Sequence, residues 1–106
     1  MGMDLNKLLQ QAQQMQEQLA RAQEEARNET VDASAGGGMV TVKANGAGEI
    51  VELKIDPKAI DPDDPEMLAD LVLAAVNEAL RNARSLMESK VAPMMPDLGS
   101  LGLPGM

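Results

Sequence analysis

The chain contains no cysteine, no histidine, and no phenylalanine, tyrosine or tryptophan. Each absence closes a class of chemistry. Without cysteine there is no disulfide, no thiolate metal site and no thiol nucleophile. Without histidine, the commonest general base and the commonest transition-metal ligand are missing. Without aromatic rings there is no platform on which unpaired bases can stack, which argues against single-strand readers of the OB or RRM kind. Positive charge is also scarce. Nine Lys and Arg stand against 17 Asp and Glu, a net charge of −8, a balance that at first weighs against nucleic acid altogether. No run of 18 apolar residues exists, so no membrane span is expected. The opening Met1-Gly2-Met3-Asp4 lacks the basic and apolar regions of a signal peptide, and Leu5 and Asn6 stand where a myristoylation motif wants Ser or Thr. The expected location is the cytoplasm.

What is present reads as one small domain. At 106 residues there is no room for a second core. The first 28 residues read as one long helix. Leu5, Leu8, Ala12, Met15, Leu19, Ala22 and Ala26 recur in steps of three and four, a strict heptad seam. Asp4 is placed to cap it, and the intervening Gln, Glu, Arg and Ala are good helix formers. A seam so narrow suits one partner helix better than burial in a broad core.

Three strands follow. Residues 29–34 form a weak one, with Val31 and Ala33 alternating with polar residues. After Gly36-Gly37-Gly38, residues 39–45 place Val40, Val42 and Ala44 on one face. Asn45-Gly46 is a turn signal, since both residue types tolerate positive φ. Residues 49–56 return with Val51, Leu53 and Ile55 on one face. Asp56-Pro57 ends the sheet. A second helix begins after Asp64, with Pro65 in its first position and acids complementing its positive end. Its apolar stripe, Leu68, Leu71, Val72, Ala75, Val76, Ala79, Leu80, Ala83, Leu86 and Met87, covers about half its circumference, and it ends before Pro93.

The expected fold class is therefore α+β in the order α-β-β-β-α, a three-stranded antiparallel sheet with two long helices. It occupies residues 1–92, with a Pro/Gly-rich flexible tail over 93–106. Such a thin core is often completed by a second copy. A homodimer is expected, with Leu5, Leu8, Ala12, Met15 and Leu19 as its seam.

Enzyme signatures are missing. Neither Gly36-Gly37-Gly38 nor Asn45-Gly46-Ala47-Gly48 is followed by Lys-Ser/Thr or by a helix, as a phosphate loop requires. The acids around Asp61, Asp63, Asp64 and Glu66 lack the glycine and glutamate of a calcium loop and are read as helix capping. The nine methionines are read as flexible packing, and no cofactor or metal is expected.

The charge is unevenly distributed. Residues 61–78 hold six acids and no base, whereas residues 79–92 hold three bases and one acid. Arg81 and Arg84 share the outward face of the second helix with Asn77, and Lys90 lies near its end. On the first helix Lys7, Gln14 and Arg21 recur at heptad intervals, with Arg27 at the end. Doubled in a dimer, Lys7, Arg21, Arg27, Asn77, Arg81, Arg84 and Lys90 would face a phosphate backbone.

At this point the middle of the chain carries a resemblance. Gly36-Gly37-Gly38-Met39-Val40-Thr41-Val42, then Asn45-Gly46-Ala47-Gly48-Glu49-Ile50, Lys54-Ile55-Asp56-Pro57, Asp61-Pro62-Asp63-Asp64-Pro65-Glu66-Met67-Leu68, and Asp70-Leu71-Val72 with Ala74-Ala75-Val76-Asn77 resemble the YbaB/EbfC family of bacterial nucleoid-associated proteins. The resemblance implies a homodimer with paired helices projecting like tweezers. It implies a cytoplasmic, nucleoid protein that binds double-stranded DNA with low sequence specificity, alters its conformation and bears on gene expression. It also makes replication and recombination proteins candidate partners. The competing expectation is a protein-interaction module tied to that machinery, with incidental DNA contact.

Overall fold

The computed structural model describes residues 4–94. Its order is helix α1 (Leu5–Asn28), strands β1 (Thr30–Ala35), β2 (Val40–Asn45) and β3 (Ile50–Ile55), a 3-10 turn at Pro57–Ala59, helix α2 (Pro65–Val91) and a last 3-10 turn at Ala92–Met94. The expected α-β-β-β-α arrangement is therefore the one found. Both helix starts follow from local chemistry. The Asp4 carboxylate accepts from the backbone N–H groups of Asn6 and Lys7, and the Asp64 carboxylate from that of Met67, with Pro65 opening α2. Of the Pro/Gly-rich tail, Pro93 and Met94 continue α2 as a tight turn. The remainder lies outside the described residues.

The sheet is an antiparallel meander in the order β1-β2-β3. Gly36, Gly37 and Gly38 all have positive φ, at 65°, 66° and 93°, and form the β1–β2 turn. Three consecutive left-handed residues are accessible only to glycine. The second turn differs from the sequence expectation. Asn45 and Gly46 have ordinary φ, and the positive φ falls on Gly48. Asn45 acts through its side chain: its Oδ1 accepts from the N–H groups of Ala47 and Glu49, at 3.0 Å each, and its Nδ2 donates to Glu49 Oε1 at 2.8 Å. A bulge between Lys43 and Ala44 places Ile50 opposite Ala44. Val51 thereby drops out of the expected Val51-Leu53-Ile55 row, because an extra residue reverses the alternation of side chains.

The core is built of small residues. Val40, Val42, Ala33, Ala44, Ala75, Ala79 and Ala83 are buried together, and among the described residues nothing larger than valine is fully enclosed. The alanine row of α2 lets that helix lie close over β1 and β2, while it barely touches β3. Asn82 donates to Asp32 O on β1 at 3.1 Å, and Leu71 lies beside Gly36. The opposite flank of α2, carrying Ala69, Leu73 and Val76, and the inner face of β3 stay open. Leu53 is 42% and Leu73 60% exposed.

Only the end of α1 joins the body. Ala22 and Ala26 are buried, while residues 5–20 are exposed all round. The described residues extend over 76 × 32 × 16 Å. At ~1.5 Å per residue each helix is roughly 40 Å long. They therefore overlap over a short stretch and α1 projects as an arm.

Candidate nucleic-acid interface

The seven residues expected to meet a phosphate backbone separate into two sets. Three cations are already partnered. Arg27 pairs with Glu24 at 3.4 Å, and Arg81 with Glu78, each one helical turn away. Lys90 Nζ lies 2.8 Å from Glu29 Oε2 and 3.9 Å from Glu25 Oε2, bridging α2 to the end of α1. Lys7, Arg21 and Arg84 are exposed and have no acid within ion-pair distance among the described residues. Asn77 is exposed on the same outward face of α2 as Arg81 and Arg84.

The structure does not bring all seven together. Lys7 is near the tip of the arm, about 21 Å along α1 from Arg21. Arg21 lines a notch between the helices with Gln18, Ala22, Glu25 and Lys90. Arg84 lines another beside the β2–β3 turn, with Gly46, Ala47, Gly48, Met87 and Glu88. Lys90 is turned to the α1 side of α2, away from the outward face that carries Arg81. Lys43 and Lys58, which sequence reasoning passed over as strand and turn residues, are also exposed without an ion-pair partner among the described residues.

The ordinary lysine value of 10.5 is raised at Lys90. Hydrogen bonding to the Glu29 carboxylate is the main cause, desolvation opposes it, and the charges of Glu29 and Glu25 add to it. A raised lysine value means that the stabilisation is fully present below the unfolded value and is lost as pH rises through the folded one. The melting temperature of the parent is therefore expected to fall above about pH 10.5 more steeply than that of Lys90→Gln. Thermal scans from pH 8 to 11.5 check this, and parallel curves would assign Lys90 no linkage. At neutral pH the same variant is expected to leave DNA affinity within about twofold, since Lys90 is already neutralised.

Distance decides how the net charge of −8 acts. The acids Asp61, Asp63, Asp64 and Glu66 cluster at the start of α2. Arg84 is 20 residues further on, about 30 Å along the helix. The screening length at physiological salt is about 8 Å. The cations on the arm and on the second half of α2 are thus electrically separate from the cluster that dominates the total.

Gly46 is a residue whose role the sequence did not reveal. Its N–H donates to Ala26 O at 2.7 Å, and a Cβ built on it would lie 2.6 Å from Ala26 Cβ and 2.7 Å from Ala26 O. The turn is the seat on which the end of α1 rests. This seat fixes where the arm leaves the body, and so where Lys7 and Arg21 are held.

Among the described residues no group of three or more acidic side chains is arranged to hold a metal ion, and no helix is long and apolar enough to cross a membrane. The sequence profile of the YbaB/EbfC DNA-binding family matches residues 1–98. A nucleoid-associated protein of Thermoanaerobacter pseudethanolicus is 50% identical over 105 residues, which is 99% of this chain and 92% of the relative. One of Pelotomaculum thermopropionicum is 46% identical over 106 residues, 100% of this chain and 98% of that protein. The fold is similar to the crystal structure of an uncharacterized protein from Helicobacter pylori, with a TM-score of 0.78 and 26% identity, covering 89% of this chain and 99% of that one.

Proposed function

The chain belongs to the YbaB/EbfC DNA-binding family, and on that premise we propose that it grips duplex DNA as a homodimer, through phosphate contacts from Lys7, Arg21 and Arg84. It is a nucleoid-associated DNA-binding protein, located on the nucleoid in the cytoplasm. The reading that makes it first a docking module for replication or recombination proteins is not favoured. We assign it no catalytic role.

The observation that carries the mechanism is the segregation of charge. The unpaired cations of the helices stand on exposed surfaces of α1 and the second half of α2, beyond the screening length of the acidic cluster. Phosphates are uniform along the duplex, so contacts of this type carry little sequence information. The absent aromatics and the rod-like arm fit backbone contact better than base stacking. Two arms per dimer hold the duplex at separate places and thereby alter its path. The test is a gel-shift titration on unrelated duplexes at several salt concentrations. With three free helix cations per copy and six per dimer, the log–log salt slope is expected to be no steeper than about −5. Absence of binding at low salt, or affinity confined to one sequence, would sink the proposal.

We place the dimer contact on the open apolar face, a different surface from the expected seam at Leu5, Leu8, Ala12, Met15 and Leu19. Leu53 and the α2 flank around Leu73 lie exposed beside a core whose buried members, among the described residues, are alanines and valines. Covering leucines stabilises by about 25 cal/mol per Å² of apolar surface, and one copy alone leaves that gain unused. Sedimentation equilibrium at micromolar concentration is expected to return twice the chain mass, and the Leu53→Asp/Leu73→Asp variant the single chain mass. A monomeric parent would refute the pairing.

A further inference from the structure

The arm formed by the first two thirds of α1 carries an apolar stripe that nothing in the described fold covers. Leu5, Leu8, Met15 and Leu19 are 69%, 45%, 55% and 42% exposed, and Ala12 lies among them. The stripe is the outward continuation of the face that Ala22 and Ala26 bury against the body. A projecting helix of this length is marginal in water by itself, since most helical stability in proteins comes from packing an apolar face.

We propose that the chain's own C-terminal segment, residues 95–106, lies along this stripe and holds the arm. Three observations point to this occupant. The first is where the described chain ends. Arg84, Met87 and Glu88 stand beside the turn that seats Ala26, Lys90 reaches Glu29 and Glu25, and the turn at Ala92–Met94 packs against α1. The end of α2 therefore runs antiparallel to α1, and the described chain ends at Met94 on the side of α1 where Lys90 stands beside Gln18, Ala22 and Glu25. The second is reach. Leu5 to Leu19 spans about 21 Å of helix. Twelve residues in extended form cover up to about 40 Å, enough for the whole stripe. The third is chemistry. Met95, Leu98, Leu101, Leu103 and Met106 repeat every two or three residues with a single charge, Asp97, among them. The interspersed Pro and Gly prevent the segment from building a core of its own. Tethered beside the stripe, it meets it at an effective concentration in the millimolar range.

The chain has no cysteine, so an introduced pair is unambiguous. Met15→Cys is combined with Leu98→Cys in the full chain and oxidised mildly at low micromolar concentration. The expected product is a cross-link within one chain, read as a single-chain mass with both thiols consumed. In a second measurement, amide exchange of residues 5–18 is compared between the full chain and the Leu98→Ser/Leu101→Ser/Leu103→Ser variant. Exchange of the arm is expected to quicken about tenfold in the variant while β2 is unchanged. A cross-linked species of twice the chain mass would put a second copy on the stripe and overturn the proposal. So would free thiols in the folded protein together with arm exchange that the serine variant does not alter.

Discussion

Replacing Gly46 by alanine is expected to destabilise the fold by about 2–4 kcal/mol, lowering the melting temperature by roughly 10–25 °C. The added methyl would meet Ala26 Cβ at 2.6 Å and Ala26 O at 2.7 Å, and neither atom belongs to a flexible side chain. The end of α1 must then lift. That breaks the Gly46 N–H to Ala26 O bond and uncovers Ala22 and Ala26, the residues through which α1 joins the body. Gly37→Ala is the control. It has open space around it but a φ of 66°, so only the backbone term of about 1–2 kcal/mol applies. A second substitution, Ala26→Gly, removes one of the two clashes and is expected to restore part of the loss. Calorimetry of the four proteins decides the matter. A Gly46→Ala protein melting within two degrees of the parent would show that α1 is not seated on the turn.

The second large effect concerns DNA. Arg21→Glu combined with Arg84→Glu is expected to weaken duplex binding by about tenfold or more at low salt and to flatten the salt slope by roughly 3–4, two contacts being lost from each copy of a dimer. The informative comparison adds charge elsewhere. Asp63→Lys with Glu66→Lys changes the net charge by the same amount in the opposite direction, but some 30 Å from Arg84. At physiological salt that variant is expected to bind within about threefold of the parent. If both double variants shift affinity in proportion to net charge, the local reading fails and the protein responds as a diffuse polyanion. If neither does, the contacts lie on other residues, with Lys43 and Lys58 the next to test.

Several pieces of this mechanism were legible in the chain because they are encoded over one or two turns. Asp4 and Asp64-Pro65 cap helices through atoms two or three residues away. The alternation of Val40, Val42 and Ala44 declares a strand face without reference to anything distant. The Arg27–Glu24 and Arg81–Glu78 pairs are also local, three residues apart, and could have been discounted as free cations on that ground alone. Lys90 could not. Its partner Glu29 lies 61 positions away, and only the packing of α2 on α1 joins them.

The boundary between the two kinds of information is therefore physical. The sequence by itself determined the order of elements, the helix ends, the glycine turn and the separation of acidic from basic segments, because periodicity, capping and backbone permission act over a few residues. The absence of aromatic rings is also fixed by the sequence alone and leaves no side chain on which unpaired bases could stack. Only the tertiary structure decided how close α2 lies to the sheet, that the rest of the described chain leaves the leucines of β3 and the arm uncovered, that Gly46 is the seat of α1, and which cations have no ion-pair partner among the described residues. Those facts depend on contacts between residues far apart in the chain, where sums of small packing and desolvation energies outweigh any local preference.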